Sequence, residues 1–396
     1  MEPRQAPKSD LPLYLLIGLS SINQFAFMGV RFCLTLYAVH ISASEATVGA
    51  LIALFGAVSI PVSAFLARWL DSAGTRLPML ISCAGMVIGA AIFFASDSIP
   101  ALFGIATVVG MFYNVYYIAQ QLALGRIGGR EQRVRNFSLA ALGVSAASFC
   151  APLVSGFVID EVGYGVAFLL MVLAPLAPMV AIAAHRLPMV APRPPSQRSS
   201  GSAFALLRDP ELRVIYIFST ISLGVWQTVL FLLPLYGVSV GLNAFHTGVL
   251  TGSFPIAAML SRLMLPALMR RFTAWQVLVG SLLASVFGMA ALPFLHSLVP
   301  LVLAAAWLGA ALGTCNPVSQ ALLFDVAPEG REGEVLALWS LLASVMQAVT
   351  PLLFGAVSTA LGMGPVFWTL SLGMLACTYT GRHRLLKGRR AGQHPG

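Results

Sequence analysis

Few residues in this sequence have chemistry to offer from within its apolar runs, and the most pointed is Arg31. It stands beyond the middle of a long apolar run, and at helical spacing it shares a face with Gln24 and Phe27. A guanidinium offers five N–H donors and a permanent charge, so this face could take an anionic or strongly polar group and line a cavity with it. Two other readings stand beside that one: Arg31 reaches along its stem to an outer interface, or it pairs with Asp160 or Glu161. A second set lies in one later run, Tyr113, Asn114, Tyr117, Gln120 and Gln121, of which Asn114, Tyr117 and Gln121 fall on one helical face. Asn316 and Gln320 stand in a matching run further on, and Trp226 and Gln227, with Tyr236 beyond, form an aromatic and amide set. Amides and phenols are costly against hydrocarbon, so these groups point inward, to bond between helices or to contact a solute. Arg262, less than two turns from the inner end of its run, is expected to extend to the interface instead.

The acids are as informative by position. Asp71, Asp160, Glu161 and Asp325 all fall at the ends of apolar runs, and none lies at the middle of one. A buried carboxylate of raised pKa, the usual proton carrier inside a membrane, therefore has no obvious candidate, and proton coupling would have to use Asp71, Asp160, Asp325 or competition at Arg31. Catalysis has no apparatus. The one G-x-S-x-G string, Gly237 to Gly241, sits at a helix end and not at a strand-to-helix turn, and the six His form no metal-binding pattern. The five Cys fall inside apolar runs without a C-x-x-C pair, which reads as packing; no metal or other cofactor is implied.

These groups must be held by membrane-spanning helices. Hydrophobic residues make up 58% of the 396 positions and charged residues 9%, where a soluble chain is about a quarter charged. A hydrocarbon layer of ~30 Å takes about 20 helical residues to cross. Runs of that length recur at 12–39, 46–70, 78–96, 100–124, 138–159, 164–184, 212–238, 244–268, 275–295, 298–323, 334–358 and 363–381. They are continuously apolar, which favours helices over the alternation of barrel strands. The first continues far past the length of a secretory signal and is read as an uncleaved span. The net charge of +9 is not a nucleic-acid footprint, because its Lys and Arg collect at the two termini and in the even-numbered breaks, while the odd-numbered breaks carry none. The positive-inside rule then puts both termini in the cytoplasm, an even number of spans in the inner membrane, and anionic lipid beside the basic loops.

The chain also repeats. Shifted by 199 residues, Tyr37 falls on Tyr236, Gly49 on Gly248, Phe55 on Phe254, Gly110 on Gly309, Gln121 on Gln320, Pro152 on Pro351, Gly156 on Gly355 and Gly163 on Gly362. Two homologous six-helix bundles follow, 1–185 and 212–396, joined by a Pro-, Ser- and Arg-rich cytoplasmic linker at 186–211.

With this layout the chain resembles the major facilitator superfamily over essentially its whole length. The family's loop between helices 2 and 3, roughly G-x-x-x-D-R-x-G-R-R, is matched by ARWLDSAGTR at Asp71, Gly74 and Arg76, and departs from it at Ala67, Ser72 and Thr75. The resemblance implies that Asp71 latches one conformation by bonding the free N–H groups of a neighbouring helix start; Arg270 stands at the matching place in the second half. The antiporter motif G-P-x-x-G-G of helix 5 is met in part by Pro152 and Gly156, with Ala151 and Ser155 in place of two glycines, and Pro351 and Gly355 repeat it in helix 11. The family's helix-4 Arg, tied there to proton handling, would fall at Ala106 and is absent. The fold implied is all-α, twelve transmembrane helices in two pseudo-symmetric bundles, and the function is secondary transport of a small organic solute by alternating access. Substrate contacts are expected from Gln24, Phe27, Arg31, Asn114, Tyr117, Gln121, Trp226, Gln227, Asn316 and Gln320, and gating or coupling from Asp71, Gly74, Arg76, Pro152, Gly156 and Asp325. The first reading is proton-coupled efflux of a drug-like or metabolite compound; the alternatives are uptake or facilitated movement of a small organic anion and, from another class, a non-transporting receptor or scaffold. A monomer suffices for this architecture.

Overall fold

The computed structural model describes residues 11–61, 74–126, 129–184, 203–328 and 332–391, and among them there is no strand. Helices stand at the positions of all the predicted spans: α1 (Leu11–His40), α2 (Glu45–Ala57), α3 (Arg76–Ala95), α4 (Ile99–Arg126), α5 (Gly129–Glu161), α6 (Tyr164–Ala183), α7 (Pro210–Ser239), α8 (Ala244–Met269), α9 (Ala274–Ala291), α10 (Leu298–Val326), α11 (Glu332–Leu361) and α12 (Met363–Ala391). Ten of them are long and apolar enough to cross a bilayer. Of the other two, α2 is described over only 13 residues, and α12 is less apolar along its 29.

Local chemistry explains where the helices start and stop. Ser44, Asn243 and Thr273 cap α2, α8 and α9 through their side chains, Thr273 in a capping box with Gln276. Asp209 caps α7 and Pro210 takes its first turn, so that helix begins before the predicted 212. Two spans depart from expectation in shape. α5 begins at Gly129, well before the predicted 138, and α6 is broken into Tyr164–Leu173 and Leu176–Ala183 where Pro175 has no N–H to give. The predicted linker at 186–211 lies largely outside the described residues; Ala203–Arg208 forms a short 3-10 turn.

The repeat is visible in the backbone. Ser42 and Gly241 both have positive φ, 61° and 84°, and so do Gly163 and Gly362, 104° and 82°. Each pair is 199 residues apart and closes an equivalent turn, α1 to α2 and α7 to α8, or α5 to α6 and α11 to α12.

Helices α1 to α6 pack mainly among themselves, as do α7 to α12; the principal contacts between the two sets are α5 against α8 and α2 against α11. Both crossings rely on the smallest residue. A Cβ on Gly248 would overlap the carbonyl of Pro152, and one on Gly49 would overlap that of Pro351, again a 199-residue pair. Such close approach is how helices associate where lipid removes the hydrophobic drive. On the outside, Phe287 is 72% exposed and Leu372 67% exposed, with Met264 and Leu303 similar. A coat of that kind would drive aggregation in water and is matched by acyl chains.

Candidate functional site

Two adjoining chambers lie between the halves. The upper, about 210 Å³, is lined by Gln24, Met28, Arg31, Phe32, Ser148, Pro152, Trp226, Leu230 and Arg262 among others. The lower, about 650 Å³, is lined by Tyr117, Gln120, Gln121, Asn316, Gln320 and Trp339 among others. Val144, Ser145 and Arg262 border both, so the two adjoin. The space widens toward the end of the bundle at which α1 begins, here called proximal. At the distal end α5 meets α8 and α2 meets α11.

Arg31 is 7% exposed, and its Nη2 has no hydrogen-bond partner. The sequence left it a choice of partners, and the geometry removes Asp160: that carboxylate accepts the N–H groups of Ala244 (3.0 Å) and Phe245 (2.8 Å) at the start of α8. No Asp or Glu lines either chamber among the described residues. An uncompensated buried guanidinium costs several kcal/mol, and the wall it stands on is the place where an anion would remove that penalty.

Arg262 does not snorkel to the interface as expected. Its Nε donates to the Gly313 carbonyl of α10 at 3.0 Å, its guanidinium carbon lies 5.5 Å from the centre of the Trp226 ring, and it faces the cavity. The reason is packing: α8 and α10 cross closely, and the inward carbonyl and indole offer better partners than the membrane surface.

The folding pattern, the repeat and the hollow between the halves agree with the comparison to known families, in which the model of the Major Facilitator Superfamily matches residues 14–308. The chain belongs to the Major Facilitator Superfamily. It is accordingly a secondary transporter and not an enzyme. No curated protein matches this superfamily member. Solved structures similar to it include a variant of the peptide transporter POT in complex with sulfate, at 15% identity and TM-score 0.78 over 94% of this chain and 93% of that one. A variant of the nucleoside transporter NupG matches at 15% identity and TM-score 0.77, over 94% and 99% of the two chains. A POT family transporter in complex with 5-aminolevulinic acid matches at 16% identity and TM-score 0.76, over 95% and 96%. At these identities the likeness is one of fold.

Against the superfamily's frame, the expected substrate residues divide. Gln24, Arg31 and Trp226 line the upper chamber, and Tyr117, Gln121, Asn316 and Gln320 the lower. Gln24 is held from both sides, accepting from the Tyr113 hydroxyl and donating to Ser148 Oγ at 3.5 Å; Gln121 Nε2 donates to the Tyr117 oxygen at 2.9 Å. Phe27, Asn114 and Gln227 are not among the lining residues. Phe27 is packed against Tyr113 and Phe55, while Asn114 Oδ1 and Gln227 Oε1 are buried without a hydrogen-bond partner.

Of the gating set, Asp71 lies outside the described residues. Gly74 turns with φ 70°, and Arg76 donates to the Ala183 carbonyl at the end of α6, at 3.1 Å. Pro152 lines the upper chamber and Gly156 abuts the Ala244 carbonyl. Asp325 is exposed at the end of α10, away from the lining. Sequence reasoning overlooked Ser148, which a polar residue facing α1 from α5 could have signalled, and it set Gln120 apart from the Gln121 face although Gln120 is buried at the lower chamber.

Proposed function

We propose that the chain carries a small organic anion across the cytoplasmic membrane by alternating access, with Arg31 as its anchor in the upper chamber. The observation that carries this reading is a buried guanidinium, unpaired at Nη2, on the wall of a cavity bordered by both halves. A site lined, among the described residues, by cations and amides and by no carboxylate attracts anions and disfavours organic cations. On this reading both termini are cytoplasmic, residues 1–185 and 212–396 rock against each other about the linker, a monomer is the working unit, and the widened proximal end makes this an inward-facing arrangement.

Proton-driven efflux of a drug-like compound is the second reading. It draws on Pro152 and Gly156 at the α5–α8 contact and on apolar wall residues Met28, Phe32 and Leu230. Flux into proteoliposomes separates the two. Saturable movement of organic anions, lost in Arg31→Ala and reduced in Arg31→Lys, is expected. Normal transport by both variants, or uncoupler-sensitive movement of neutral and cationic drugs alone, would overturn the anion reading.

A further inference from the structure

The cavity contains a second guanidinium, and the two come from opposite halves: Arg31 from α1, Arg262 from α8. The Nε bond of Arg262 to Gly313 and its seat over Trp226 fix the plane of the guanidinium, and neither uses its two Nη groups. Arg31 likewise has Nη2 free. The upper chamber thus presents two positive charges and, among the described residues, no negative one. Asp160, whose span borders the chamber, is engaged by the α8 amides. A monoanion would neutralise one charge and leave the other in the cavity without a counterion, whereas a doubly charged solute satisfies both. The rest of the lining mixes apolar Met28, Phe32 and Leu230 with polar Gln24, Ser148 and Thr251.

We infer that the solute is a small dianion, a dicarboxylate or a phosphate monoester, held between Arg31 and Arg262 so that each half supplies one charge. This rests on the anion reading above and deepens it. Such a ligand would draw the halves together, since neither half alone completes its site.

The test uses the purified full-length protein in detergent, with binding of four probes measured by calorimetry: succinate, butyrate, 1,4-butanediol and glycerol 3-phosphate. The first three share a chain length and carry two, one and no charges. Succinate or glycerol 3-phosphate is expected to bind more than about tenfold tighter than butyrate, the scale of one desolvated charge contact. Arg262→Gln should abolish that preference, Arg262→Lys should retain part of it, and Arg31→Gln should weaken both classes. Which dianion wins distinguishes carboxylate from phosphate. Equal binding of succinate and butyrate to the wild type, or a preference that survives Arg262→Gln, overturns the dianion and leaves the anion reading standing. Binding of butanediol alone, or of none of the four, overturns both.

A separate observation concerns the distal closure. The Asp160 carboxylate on α5 receives the Phe245 N–H of α8, and Thr359 Oγ1 on α11 receives the Ala46 N–H of α2 at 2.8 Å. Acceptors and donors are each 199 residues apart, so the repeat has built one clasp twice, a side chain of one half on the first turn of a helix of the other. The two differ in charge. Asp160 takes two N–H groups with a full negative charge at a positive helix end, and its neighbour Phe157 meets the Phe245 ring at 6.2 Å; Thr359 takes one with a neutral hydroxyl. We propose that this pair holds the distal gate shut and that the Asp160 side is the stronger. With Thr251→Cys in the upper chamber as reporter, in right-side-out vesicles, Asp160→Ala should raise labelling by an impermeant maleimide over the otherwise identical parent, Asp160→Asn less so, and Thr359→Val least. Unchanged labelling in Asp160→Ala and Asp160→Asn, or a larger rise in Thr359→Val, overturns the proposal.

Discussion

The ring of Phe27 lies 3.7 Å from that of Tyr113, centre to centre, with the planes 10° apart. The pair locks α1 to α4 behind the cavity wall, and the Tyr113 hydroxyl then fixes Gln24, which does face the cavity. Phe27 therefore acts on the site through its packing. Phe27→Ala is expected to cost about 3–5 kcal/mol of stability, and Tyr113→Phe, which strands a buried amide oxygen, about 1–3 kcal/mol. Thermal unfolding in detergent checks both, and Phe27→Leu should keep solute affinity within a few-fold if the ring makes no contact with solute.

Close approach at the crossings makes a sharper prediction. Added methyl groups in Gly156→Ala and Gly248→Ala would meet backbone carbonyls of Ala244 and Pro152, which cannot swing aside. Both variants should fail to close the distal end and lose transport by at least about tenfold, a barrier rise of 1.4 kcal/mol. Gly280→Ala on α9 has nothing within 4 Å of the new methyl group and should transport normally.

The lower chamber predicts a labelling pattern. Asn316→Cys and Gln320→Cys should react with a maleimide applied from the side at which α1 begins, and bound solute should slow them. Native Cys83 and Cys315 are fully buried and should stay silent under the same treatment. Equal labelling from both faces would contradict the distal closure.

Stability and transport should separate at Thr273. Its capping box with Gln276 lies at the exposed start of α9, remote from both chambers. Thr273→Ala is expected to lower stability by about 1 kcal/mol and leave flux unchanged.

Much of this was legible in one dimension. Apolar length and the 199-residue repeat depend on local composition and spacing, and the helices stand where those features put them. The inward face of Arg31 with Gln24 was equally readable, because residues seven apart on a helix stay on one side whatever packs there.

Other features depend on a neighbour that spacing alone does not name. Phe27 shares the face of Arg31 yet is covered, because Tyr113 arrives from α4 to stack on it. Arg262 turns inward because α10 brings the Gly313 carbonyl within reach, an event of helix crossing. Asp160 reads as a loose acid at a helix end until the α8 start is set against it. The sequence alone determined the spans, their order and the duplicated plan, since transfer from water to hydrocarbon is a sum over residues. Only the tertiary structure decided which charges meet in the cavity and which close its end, since a contact is a property of two surfaces brought together.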